Sequence, residues 1–183
     1  MGTKLAVPLK PGTHKVGPKD GSIKVMTGRD GPAAQMGHDL VLEVTRWEAT
    51  VTISDDSAVE FSADPASFEV LAATGGVKPL SDKDKAQIKT YIVSKVLGSS
   101  PIRFRSSAVR RDGATLTVVG TLNIAGGSRS VTVPLTVAED GTIRGRVTIV
   151  QSDFGIKPFS IMMGALKVAD PVEVQIETKL PTG

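Results

Sequence analysis

Apolar and polar residues alternate along most of this chain. In 115–124, TLTVVGTLNI, Leu116, Val118, Leu122 and Ile124 share one face with Gly120 among them, while Thr115, Thr117, Thr121 and Asn123 fall opposite. The same period of two recurs in 131–137 through Val131, Val133, Leu135 and Val137, in 142–149 through Ile143, Val147 and Ile149, and in 172–179 through Val172, Val174 and Ile176. Successive side chains of a strand point to opposite faces, so the pattern predicts strands with one dry and one wet face. Stretches at 22–27, 40–53, 58–63, 67–73 and 102–109 repeat it less cleanly. Asp112-Gly113 and Asp140-Gly141 predict tight hairpins, because such turns need a positive φ that glycine adopts without strain. Asp30-Gly31, Asp64-Pro65 and Gly126-Gly127 punctuate the remainder.

One segment changes period. In SDKDKAQIKTYIVSKVLG the residues Ile88, Tyr91, Ile92 and Val96 recur at helical spacing, Ser81 stands at a capping position with Asp84 three residues on, and Gly98 follows the last apolar position. That predicts one amphipathic helix over about 81–97 with both ends capped. Roughly eight to ten strands, one helix and short turns make an all-β chain, and periodicity alone allows a sandwich or a closed antiparallel barrel. Sequential hairpins in the C-terminal half favour the barrel, and about eight strands enclose room for side chains or one small ligand.

Composition narrows the chemistry. A chain of 183 residues can bury a substantial core; we expect an N-terminal arm over 1–20 and a single barrel domain over 21–180. The absence of Cys excludes thiol redox chemistry and Cys-rich zinc sites, and two histidines, His14 and His38, are too few for a three-His metal centre. A net charge of +3 allows only weak attraction to anionic surfaces. No stretch approaches the roughly 20 apolar residues of a spanning helix. The first 21 residues hold no apolar run with a cleavage site, so the expected compartment is the cytoplasm. With one Trp, one Tyr and five Phe, and no nucleic-acid signature, a nucleic-acid partner is not expected.

Asp153-Phe154-Gly155 spells the metal-binding tripeptide of kinases, but no Gly-rich loop, Walker motif or His-Arg-Asp accompanies it. His38 lacks an identifiable nucleophile and no G-x-S-x-G elbow is present. We therefore expect no catalytic residues, no metal and no cofactor.

The run QSDFGIKPFSIMMGALKVADPVEVQIE, 151–177, resembles the C-terminal signature of the YceI-like family, lipocalin-like proteins described as polyisoprenoid-binding. Gly37-His38, the PIRFRS strand from Pro101 to Ser106, and Gly120 to Gly126 stand in the family's order, so the resemblance covers roughly 20–178. It implies an eight-stranded antiparallel lipocalin-like barrel whose apolar interior holds an isoprenoid or other long-chain amphiphilic lipid, for binding, transport or sequestration. Alternation and the apolar cluster near the C-terminus nominate Leu42, Phe61, Phe104, Leu116, Val118, Phe154, Phe159, Met162 and Met163 as ligand contacts, with adaptable thioethers suiting a flexible chain. His38 is placed at the cavity mouth as a polar contact or a structural hydrogen-bonding group. Phe154 is expected to fill the barrel while Gly155 bends its strand. Arg103, Arg105, Arg144 and Arg146 point outward, as a solvated face or as a surface for anionic lipid and peripheral membrane contact. A homodimer through an exposed strand face is compatible with the pattern. The alternatives are a protein or membrane interaction module with a filled core and, further off, an enzyme acting on a lipid with His38 as base.

Overall fold

A computed structural model describes residues 8–183. Fourteen strands run through them: β1 (Gly12–Val16), β2 (Ser22–Met26), β3 (Arg29–Asp30), β4 (Asp39–Val44), β5 (Trp47–Ile53), β6 (Ala58–Ala63), β7 (Phe68–Thr74), β8 (Ile102–Asp112), β9 (Thr115–Ile124), β10 (Gly127–Val137), β11 (Thr142–Val150), β12 (Ser160–Ile161), β13 (Leu166–Val168) and β14 (Pro171–Lys179). Eleven of them form one strongly curled antiparallel sheet in the order β1-β5-β6-β8-β9-β10-β11-β14-β2-β4-β7, and β12-β13-β3 form a small second sheet. Eleven strands stand where eight were expected.

The corners lie side by side. The stretch 40–53, expected as one strand, is interrupted at Thr45 and Arg46, where Thr45 donates both N–H and hydroxyl to the Ser67 carbonyl and Arg46 pairs with Asp64 at 2.8 Å. Asp64 caps the 3-10 turn Pro65–Ser67 that separates β6 from β7. A turn over 17–20, closed by the Asp20 N–H on the Gly17 carbonyl, separates β1 from β2. As a result β4 pairs with β2 and β7, while β5, two residues further on, pairs with β1 and β6. Residues 12–16, within the expected arm, thus join the sheet as β1, and residues 1–7 lie outside the described residues.

The dry faces follow the alternation. Leu42, Val44, Leu116, Val118, Ile143 and Ile149 are all buried. The helix α1 spans Asp82–Tyr91 and continues as a π-helical stretch over Ile92–Leu97. Its start is the capping box read from the sequence: the Asp84 N–H donates to Ser81 Oγ at 3.1 Å, and the Ser81 N–H to Asp84 Oδ2 at 2.9 Å. Gly98, at φ 73°, lets the chain leave the helix. Ile92 and Val96 pack on the core, so the apolar stripe lays the helix across the side of the curled sheet.

Asp153-Phe154-Gly155 lies outside any strand. Gln151–Phe154 is one 3-10 turn, and Gly155 closes it at φ 75° as its N–H and that of Ile156 bond back to the carbonyls of Ser152 and Gln151. Gly155 is therefore a left-handed turn residue, which corrects the expected strand bend. Phe154 is only 4% exposed and seals one end of the core. The turn rests on Gly127, where an added Cβ would lie 2.2 Å from the Phe154 carbonyl oxygen. Asp153 is exposed, and its carbonyl accepts a hydrogen bond from Arg129 Nε at 2.7 Å.

Candidate functional site

The curled sheet wraps a cavity of about 1450 Å³. Its wall is made by the inward members of the alternating strands, such as Leu40 and Leu42 on β4, Val172 and Val174 on β14, and Leu116 and Val118 on β9. The helix adds Ile88, Tyr91 and Ile92 along one side. Because each strand contributes every second residue, the lining is overwhelmingly aliphatic and aromatic.

Of the nine nominated contacts, Leu42, Phe61, Phe104, Leu116, Val118 and Phe159 line this cavity, and Phe154, Met162 and Met163 do not. Phe154 is held away from the cavity in its 3-10 turn. Met162 and Met163 occupy a tight turn after β12 with φ of 55° and 57°, which directs them to solvent; Met163 is fully exposed. Their neighbours Phe159 and Ile161 do line the cavity, so the exposed pair stands at its rim.

The rim is built by polar contacts. His38 lines the opening, and its Nε2–H donates to the Lys78 carbonyl at 2.6 Å, fixing the connection between β7 and α1. Arg29 donates from Nε to Asp39 Oδ1 at 3.0 Å and from Nη1 to the Gly37 carbonyl at 2.8 Å, tying β3 to the start of β4. Its RDG context reads in sequence as a turn and gives no sign of this role. Asp84 also lines the rim; the hydrogen bonds from the Ser81 backbone and side chain hold its carboxyl below the usual aspartate range. Tyr91 on the helix meets Phe159 edge to face.

Many lining residues were not nominated from the sequence, Trp47 and Thr178 among them. Trp47 on β5 and Thr178 on β14 both face the cavity. Alternation does not separate them from ordinary core positions; in the fold their Nε1 and Oγ1 atoms are buried without a hydrogen-bond partner in the protein.

The outward arginines meet acidic partners across the strands. Arg105 pairs with Glu60 at 3.6 Å, Arg144 with Glu177 at 3.3 Å and Arg146 with Glu173 at 3.7 Å, all at exposed side chains. This face is a mixed-charge solvated surface rather than a one-signed stripe. Among the described residues no three His, Asp or Glu side chains converge as a metal site, and no helix is long and apolar enough to cross a membrane.

The YceI-like domain model matches residues 22–180. Similar solved structures include BcnA of Burkholderia cenocepacia, 23% identical over 86% of this chain and 94% of that one, with a TM-score of 0.64. The Campylobacter jejuni YceI protein is 13% identical over 81% of this chain and 85% of its own, with a TM-score of 0.53. A polyisoprenoid binding domain from Saccharophagus degradans, implicated in plant cell wall breakdown, is 10% identical over 94% of this chain and 100% of its own, with a TM-score of 0.54. At these identities the likeness is one of fold. No curated protein matches the sequence.

Proposed function

The chain belongs to the YceI-like family, and on that premise we propose that it binds an isoprenoid-type or other long-chain amphiphilic lipid in its cavity, as a carrier or sequestering protein. The observation that carries this reading is the apolar cavity of about 1450 Å³. Protein interiors are close-packed, with few voids larger than a water molecule. A space beyond the roughly 300–1,000 Å³ of ordinary small-molecule pockets is no packing fault, and it suits an extended apolar chain. The Saccharophagus degradans neighbour, described as a polyisoprenoid binding domain, points the same way.

The strand pairing supports reading the eleven strands as eight. If β1 with β2, β4 with β5, and β6 with β7 are each one long strand bent at a corner, every long strand has two neighbours and the sheet closes through β14 and β2. A closed barrel removes both free edges and shields the ligand all round.

The energetics favour such a ligand. At about 0.8 kcal/mol per buried CH₂, each five-carbon prenyl unit contributes on the order of 3–4 kcal/mol gross, against association terms of roughly 4–15 kcal/mol. A few buried units suffice for useful affinity. The cavity also counts against an interaction module with a filled core. The reading makes no use of enzyme chemistry.

Met162 and Met163 favour a second, compatible reading, contact with a lipid surface during loading. They are exposed at the rim beside Lys167, which also lines the opening. Vesicle flotation of Met162→Glu/Met163→Glu against the parent protein tests it, and equal flotation rejects it. The carrier reading is tested by native mass spectrometry of protein purified from its own host, followed by titration of delipidated protein with prenyl lipids, quinones and fatty acyl probes. A retained or saturably bound lipid supports it, and no binding of any probe rejects it.

A further inference from the structure

We propose that α1, with the segment leading into it, is a hinged lid over the cavity, and that lipid enters and leaves beneath its N-terminal half. The lid swings about Gly75-Gly76 at one end and about the π-helical stretch Ile92–Leu97 with Gly98 at the other. The inference rests on the carrier reading and specifies how the cavity opens.

The wall has a place that no strand fills. β7 pairs with β4 on one side, is the last strand of the sheet, and has no strand on its other side. The helix lies against it instead, with Lys89 ion-paired to Glu69 of β7, and Ile88, Tyr91 and Ile92 complete the apolar lining. A strand in that position would be bound by a ladder of backbone hydrogen bonds. A helix satisfies its own backbone, so side-chain contacts hold it to the wall.

Those contacts are unevenly distributed. No residue of Asp82–Tyr91 is buried, although Ile88 and Tyr91 line the apolar cavity. Further on, Leu97 belongs to the core at 9% exposure, and Ile92 and Val96 pack against that core. Most of a short helix's stability in a protein comes from packing its apolar face. The C-terminal end is therefore the anchor, and Asp82–Tyr91 is the loosely held part. It is tied down by the Lys89 pair, by the Tyr91 ring on Phe159 with 4.4 Å between centroids, and by the His38 bond to the Lys78 carbonyl. An exposed ion pair, an aromatic contact and a single hydrogen bond can open without unfolding the barrel.

Both ends of the segment carry hinge residues. Gly75, Gly76 and Gly98 have φ of 81°, 74° and 73°, a region that glycine enters without strain, and glycine is the residue freest to take up new backbone angles. Gly75 and Gly76 lie against the Arg29 guanidinium and the His38 ring, where an added Cβ would come within 2.6 and 2.5 Å. The first hinge is thus seated on the rim.

The chain has no cysteine, so Glu69→Cys/Lys89→Cys places one thiol pair across the edge of the lid, which bismaleimidoethane locks. We would load delipidated full-length protein with a dansyl-labelled fatty acid or a dansyl-labelled geranylgeranyl amine. Stopped-flow binding and release would then compare the locked form with one whose thiols are capped separately by N-ethylmaleimide. The locked form is expected to bind and release both probes about tenfold or more slowly, with dissociation constants unchanged within about twofold, since a lid alters both rates alike. In the parent protein, the amides of 85–91 are expected to exchange as one unit, faster than those of β8 and β9, and to slow when a probe is bound. Equal rates in the locked and capped forms refute the lid and leave the carrier reading standing. Helix amides as protected as those of β8 and β9 refute it also, whether or not the cysteine variant folds. If neither probe binds the delipidated parent, the carrier reading fails and the lid with it.

Discussion

Tyr91 and Phe159 meet edge to face, with ring centroids 4.4 Å apart and planes inclined by 76°, and so join the end of the helix to the segment leading into β12 across the cavity mouth. Both rings also line the cavity. The contact is a latch between two elements that otherwise meet little.

An aromatic pair of this geometry contributes about 0.5–1.5 kcal/mol beyond its buried area. Phe159→Ala is therefore expected to accelerate lipid dissociation by several-fold to about tenfold while the unfolding midpoint moves little. Stopped-flow release of a fluorescent fatty acyl probe measures the first, and thermal unfolding the second. An unchanged release rate would show that the mouth opens elsewhere.

Val118 is 3% exposed and faces the cavity. In a fully packed core, enlarging such a residue costs typically about 1–3 kcal/mol. Beside open space the new ring projects into the void, so Val118→Phe is expected to cost under about 1 kcal/mol and to shorten the longest lipid accepted. Denaturant unfolding and affinity across a prenyl chain-length series test the two halves. A large loss of stability with unchanged length preference would contradict the cavity's role.

Acid should loosen the rim through Asp84. Hydrogen bonds from Ser81 favour its charged form in the folded protein, so its pKa lies below the ordinary 3.8. A depressed carboxylate pKa contributes stability that is present above the unfolded-state value and is lost as pH falls through the folded one. The helix start, which lines the mouth, is therefore expected to fray only below about pH 3.8. Amide hydrogen exchange at 84–88 across pH 2.5–5 should show protection falling with acid, and Ser81→Ala should abolish that acid dependence.

The Asp153-Phe154-Gly155 turn separates packing from chemistry. Phe154→Ala is expected to cost about 3–5 kcal/mol, the usual penalty for removing a buried ring. Asp153→Ala, at an exposed side chain, should stay within about 0.5 kcal/mol and leave lipid binding intact. A strong loss of binding in Asp153→Ala with the fold preserved would give the aspartate a role that its geometry does not suggest.

Much of the site could be read from the chain because a strand residue's facing is a local property. Leu116, Val118, Leu42, Phe61 and Phe104 all line the cavity by virtue of a two-residue period, and no knowledge of the neighbouring strand is needed to place them. The helix ends were legible for the same reason: the Ser81 to Asp84 reciprocity spans three residues.

Hydrophobicity alone misled where the backbone leaves the strand conformation. Met162 and Met163 carry the side chains of a cavity wall but sit in a left-handed turn that turns them outward. Phe154 is buried as expected, yet in a 3-10 turn that keeps it off the cavity surface.

The sequence by itself determined which residues avoid water, where strands turn and where the helix begins, since these depend on neighbours a few positions away. Only the tertiary structure decided that the dry faces enclose space rather than pack shut, and that three corners at 17–20, 45–46 and 64–67 align so the sheet can curl. Those outcomes depend on strand pairings between residues far apart in the chain, which set the radius of the sheet and with it the distance between facing walls.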